Sequence, residues 1–125
     1  MDINILFKIC EMHKDDEQIL QLIQTLINNF VKYQESCVQQ SIFVHTSKSL
    51  LSKEEYNNRY AELDKKRTVN HNACIDSIAI INRICSTSGL PPFYEGEVGK
   101  DRPQRIAIAD DIGKFVYDIY DARVL

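Results

Sequence analysis

Arg67 and His71 stand four positions apart, so any helix containing them presents both on one side. A guanidinium is permanently charged and grips an oxyanion with a planar fork, while an imidazole exchanges a proton near neutral pH. The pair therefore suits an anion site or phosphodiester chemistry. Asn82 falls on the same side, because His71, Ile75, Ile78 and Asn82 follow one another at offsets of four, three and four. Polar groups that share a face with Ile75 and Ile78 cannot all point to bulk water. Left unpaired, each would cost about 1–3 kcal/mol. The first expectation is a structural hydrogen-bond network in which carboxylates or backbone carbonyls of a facing helix meet Arg67 and His71. The second is a site.

A further cationic group, Lys100, Arg102 and Arg105, surrounds the start of the last predicted helix, where free N–H groups already favour anions. Asp101 is placed to cap that end itself. The binding candidates are thus Arg67, His71, Asn82, Arg102 and Arg105, and Arg67 and His71 are the catalytic candidates if the chain is an enzyme. The run Lys65-Lys66-Arg67, flanked by Glu62 and Asp64, reads as a solvated helix surface and not as a nucleic-acid patch. His13, His45 and His71 fall in three separate segments, with no Glu-x-x-His or His-x-x-x-His pair, so no metal is expected, and nothing points to a cofactor. Cys10, Cys37, Cys74 and Cys85 have no CxxC spacing and lie on apolar stripes, the setting of small buried hydrophobes.

The elements that must hold these residues are helices. Three capping boxes are expected, Asp15 to Gln18, Ser52 to Glu55 and Asp101 to Gln104, each setting a short oxygen-bearing residue three positions ahead of Glu or Gln. Pro103 then sits in a first turn, where its missing N–H costs nothing. From Asp16 to about His45, Ile19, Ile23, Leu26, Phe30, Tyr33, Cys37 and Val44 recur at threes and fours, with Leu20, Ile27, Val31, Val38 and Ile42 widening the stripe. From Lys53 the period returns in Tyr56, Tyr60, Leu63, Cys74, Ile78, Ile81 and Cys85, until Gly89 stops it before Pro91-Pro92. Phe93 and Tyr94 are expected to pin the following loop, and Gly96 and Gly99 to let it turn. The last helix is predicted to face Ile106, Ala109, Ile112, Val116 and Ile119 inward and Asp110, Asp111, Lys114, Asp118 and Asp121 outward. A short amphipathic helix from Ile3 to about Met12 completes the set.

The fold class is accordingly all-α, a four-helix bundle forming one domain over residues 1–125, with two long antiparallel central helices and shorter terminal ones. Those central helices, at about 45 and 54 Å, outrun a domain whose radius of gyration is about 14 Å. Unless one kinks, near His45 to Leu51, they form a hairpin whose apolar surface two short helices leave bare. A second copy is the simplest cover.

With 125 residues, 44% hydrophobic, 26% charged and a net charge of −3, the chain has no general attraction for nucleic acid or an anionic membrane. No apolar run approaches the roughly 20 residues of a membrane-spanning helix. An acid ahead of the first apolar residues and a lysine within them reverse the order of a secretory signal, which points to the cytoplasm.

Two resemblances bear on these residues. Helical HEPN-type ribonucleases carry an arginine and a histidine on one helix with four to six residues between them. Here only Thr68, Val69 and Asn70 intervene, so the motif misses by one residue; Lys66 has the spacing without being arginine. The stretch from Lys66 to Gly89, with Arg67, His71, Asn82 and Arg83, followed by Arg105 beyond a proline-containing loop, resembles a bacterial family of small helical proteins of unknown function. It implies an all-α bundle and a bacterial source and assigns no activity. The functional expectation is an uncharacterised homodimeric interaction or structural module, with a protein partner and no membrane or nucleic acid. The alternatives are a small ribonuclease acting through Arg67 and His71, or a sensor of an anionic metabolite near Arg67 or Arg105.

Overall fold

The computed structural model describes residues 1–96, 98 and 102–124, with the backbone alone at 102, 103 and 122–124. The elements in order are α1 (Ile3–Met12), α2 (Glu17–Ser47), α3 (Lys53–Thr87) and α4 (Arg102–Val124), and there is no strand among the described residues. An all-α bundle with two long central helices is what the sequence implies, and α2 and α3 pack along each other as its antiparallel pair.

Side-chain oxygens start three of the helices. Asp2 Oδ1 accepts from the Asn4 amide at 2.9 Å, and Ser52 Oγ accepts from the Glu55 amide at 3.2 Å, as its capping box requires. At α2 the cap is Asp16, which accepts from Gln18 and Ile19 at 3.1 and 3.3 Å. The box expected from Asp15 is therefore displaced by one residue: Ile19, not Gln18, occupies the third helical position and cannot reciprocate. The cap expected at Asp101 lies outside the described residues. α3 stops in a Schellman motif, with Gly89 at φ +70°, its amide on Ser86 O at 3.4 Å and the Leu90 amide on Cys85 O at 2.9 Å.

The core occupies one end of the hairpin. Ile5, Leu6 and Ile9 of α1, Ile23, Leu26, Phe30 and Tyr33 of α2, Cys74, Ile78, Ile81 and Cys85 of α3, and Ile108, Ile112, Phe115 and Val116 of α4 close it. The loop expected to be pinned by aromatics is pinned. Phe93 meets Phe115 edge to face at 5.3 Å, and its carbonyl accepts from the Asp2 amide at 3.2 Å. Tyr94 Oη donates to Asp111 Oδ2 at 2.9 Å, and a Cβ on Gly96 would strike the Tyr94 ring.

α4 keeps most of its expected inward face, with Ile112 and Val116 buried and Ala109 and Ile119 packed on the core, and departs from it at three places. Ile106 is 52% exposed, Ile108 and Phe115 are buried, and Asp111 is half-buried against Tyr94. The buried face is widened by Ile108 and by Phe115, whose ring packs on Phe30 and Phe93. The widened stripe of α2 fails towards its C-terminus: Val38 and Ile42 are 51% and 57% exposed, and Val44 and Tyr60 also face outward. Beyond Ser36, α2 buries only Phe43; ahead of His71, α3 buries nothing. This arm, residues 37–70, is two helices thick. It is laced by Phe43 stacked on Tyr56 at 5.0 Å and Tyr56 on Tyr60 at 6.3 Å.

Candidate functional site

The polar cluster sits where the arm leaves the core. His71 is the first buried residue of α3, 7% exposed, with its ring tilted against Tyr33 of α2 at 5.6 Å. Its Nδ1 faces Asn72 Oδ1 at 3.4 Å, while its Nε2 is buried with no hydrogen-bond partner. One turn earlier, Arg67 donates from Nη2 to Asp64 Oδ1 at 3.1 Å, and the same oxygen accepts from Gln40 Nε2 of α2 at 3.2 Å. Arg67 also meets the Tyr33 hydroxyl.

The carboxylates and carbonyls expected from the facing helix are not what these groups find. Arg67 takes its carboxylate from its own helix, and His71 Nε2 receives nothing. The cause lies in α2, which at this level offers Tyr33, Ser36, Cys37 and Gln40; Ser36 Oγ is spent on Tyr33 O at 2.7 Å, and Glu35 points outward. Burial, then Cys37, pushes the Tyr33 phenol up to about 12, against the opposing pull of Arg67. The hydrogen bonds from Arg67 and Gln40 hold the Asp64 carboxyl below its usual range.

A cavity of about 230 Å³ opens beside this cluster, walled by Arg67, Thr68, His71, Asn72 and Arg105. α4 packs on α2 and α1 without close backbone approach to α3, so the cavity is the gap between α3 and α4. The structure thus brings Arg67, His71 and Arg105 together. Asn82 is not with them: it lies 11 residues beyond His71, about 16 Å along the axis. There it brackets the loop backbone, with Nδ2 donating to Tyr94 O at 3.0 Å and Oδ1 accepting from the Tyr94 amide at 3.1 Å. The Arg102 side chain lies outside the described residues, as does Lys100.

The remaining histidines and thiols serve the fold. His13 Nε2 bonds Ser88 Oγ at 2.9 Å, tying α1 to the end of α3, and His45 Nδ1 donates to Ser41 O at 2.7 Å. The four cysteines are free, and burial pushes the Cys74 thiol up to about 12 while its Sγ donates to Asn29 O at 3.3 Å. Among the described residues no group of three or more His, Cys, Asp or Glu is arranged to hold a metal, and no helix is long and apolar enough to cross a membrane.

Three participants were absent from the candidates: Tyr33, Asp64 and Gln40. The spacing of Asp64 to Arg67 is a recognised helical ion-pair spacing and was a usable signal. Tyr33 was legible only as one member of an apolar stripe.

Comparison with curated proteins and with solved structures returned no match. The comparison with protein families did: residues 1–125, the whole chain, match the family described as "Protein of unknown function (DUF3232)", and the protein belongs to that family.

Proposed function

We propose that the protein is a self-associating helical module of the bacterial cytoplasm, in which the hairpin arms of two copies pack together. One observation carries this reading: ahead of His71, α3 buries no residue, and past Ser36, α2 buries only Phe43, yet the arm displays Val38, Ile42, Val44, Tyr60 and Val69. Two helices alone cannot enclose a core. Two such arms supply four helices, the smallest number that forms a bundle with an interior.

The occupant is a second copy because the arm is electrically mixed. Lys48, Lys53, Arg59, Lys65, Lys66 and Arg67 are interspersed with Glu54, Glu55, Glu62 and Asp64, so each arm offers the other charges of both signs, and the one basic run, Lys65 to Arg67, is flanked by Glu62 and Asp64. Four free thiols accord with a reducing compartment. The ribonuclease alternative has less support, since only Thr68, Val69 and Asn70 separate Arg67 from His71, one residue short of that motif.

Light scattering at micromolar concentration tests the reading. The expected mass is about twice 14.5 kDa, falling to one chain in Ile42→Glu, which places a charge in the joint. A wild type that stays at one chain mass overturns it. Wild-type cleavage of single-stranded RNA in the presence of EDTA, lost in His71→Ala with melting unchanged, would install the ribonuclease in its place.

A further inference from the structure

We propose that the cavity between α3 and α4 is a binding site for a small, proton-bearing oxyanion of the phosphate class, inorganic phosphate or a small phosphate monoester, gripped by Arg67 and Arg105 and completed by His71.

The walls define the charge of the occupant. Arg67 and Arg105 come from different helices and face one gap, with Asp64 beside them as the counter-charge. That carboxylate takes one hydrogen of Arg67 and stands outside the cavity walls, so one positive charge is left over across the gap. Guanidinium forks match the oxygens of a tetrahedral oxyanion, and an anion between two of them converts mutual repulsion into a bridge between α3 and α4. No close backbone approach otherwise joins those helices among the described residues.

The size limits the ligand. About 230 Å³ is below the roughly 300 Å³ at which pockets for drug-sized molecules begin. An inorganic ion or the head of a small ester fits this description, and a polymer chain does not.

His71 narrows the chemistry further. Asn72 Oδ1 lies 3.4 Å from Nδ1 and can only accept; the tautomer that meets it carries the proton on Nδ1, which makes Nε2 the acceptor. It is also buried and without a partner, a condition that native structures leave at few places. What it needs is a donor. A phosphate oxygen that retains its proton supplies one, while the remaining oxygens take the guanidinium hydrogens. A carboxylate or sulfate satisfies the arginines but brings no hydrogen for Nε2. Asn72 also lines the wall, and Thr68 Oγ1 is already committed to Asp64 O at 2.9 Å.

The site is independent of self-association and is tested on the full chain by calorimetric titration with inorganic phosphate, glycerol phosphate, sulfate and acetate at matched ionic strength. Nitrogen NMR of the His71 ring is followed in the same series. Saturable binding of inorganic phosphate or of the ester is expected, with a displaced Nε2 resonance. Their relative affinities decide between free ion and monoester, and sulfate and acetate should bind at least about tenfold more weakly, the loss of one hydrogen bond to a buried acceptor. Arg105→Gln, at an exposed position, should fold normally and lose about tenfold or more in affinity, and Arg67→Met should do the same. No saturable phosphate or ester binding, or unchanged binding in Arg105→Gln, overturns the site. Equal binding of sulfate overturns the proton-bearing assignment. Should Arg67→Met fail to fold, Arg105→Gln and the Nε2 resonance decide alone.

Discussion

The two ends of the α2–α3 hairpin are made of similar residues and live in different physical regimes. At the core end α2 meets α1, α3 and α4, α3 meets α1, α2 and the Tyr94 loop, and Leu26, Phe30, Ile78 and Ile81 lose almost all contact with water. At the arm end the same two helices meet only each other, and their valines, isoleucines and tyrosines remain at the surface. Side-chain type alone therefore does not decide burial; the number of neighbours does. The polar cluster marks the boundary, with His71 the last residue enclosed and Arg67 the first that reaches out.

The largest contrast should appear on truncating aromatics at the two ends. Phe30→Ala removes a ring packed edge to face on Phe115 and should cost about 3–5 kcal/mol in chemical denaturation. Phe43→Ala, in the arm, should cost less when the protein is dilute and more when it is concentrated, because in the proposed dimer a second copy completes its surroundings. Equal, concentration-independent losses would erase the distinction between the ends.

Next comes the loop that closes the core. Asn82→Ala strands both the amide and the carbonyl of Tyr94 and should destabilise by about 1–3 kcal/mol, with Tyr94→Phe adding little once the loop is free. A neutral Asn82→Ala would return that residue to the ligand candidates.

Smaller effects are expected at the boundary. Arg67→Ala deprives Asp64 and Tyr33 of a partner and loses the packing of the arginine stem, for slightly more than about 1 kcal/mol. Arg67→Met keeps the stem and should cost less, because Asp64 is 45% exposed and turns to water. Melts of the two variants side by side separate stem from charge. Smallest of all is the thiol response: Cys74, held near 12 by burial, should react with a thiol reagent only after denaturant is added, and fast labelling of the native protein would show that the core end opens.

Much of this was legible in the sequence. The ends of α1, the Ser52 cap, the Gly89 stop and the aromatic pins of the loop all follow from local chemistry, in which a few adjacent residues settle the outcome. What was not legible depends on a partner remote in sequence. The edge of the buried face of α4 is set by Phe115 reaching Phe30 and Phe93, which draws in Ile108 and leaves Ile106 outside. The failure of the α2 stripe at Val38 and Ile42 reflects where α1 and α4 end, which no pattern inside α2 records. Arg67 and His71 were correctly placed on one face, but their neighbours Tyr33 and Gln40 come from a helix whose register against α3 is set by contacts such as Asn29 Nδ2 to Ser77 Oγ at 2.9 Å. Arg105 joins them only through the fold.

The difference between core and arm, and its resolution by a second copy, is tested most directly by amide hydrogen exchange measured across a range of protein concentrations. Amides of α3 around Ile78 and Ile81 should be strongly protected at every concentration, whereas those of residues 56–66 and 38–46 should gain protection as concentration rises through the dimerisation range. Arm amides that exchange at one rate throughout, whether fast or slow, would contradict it.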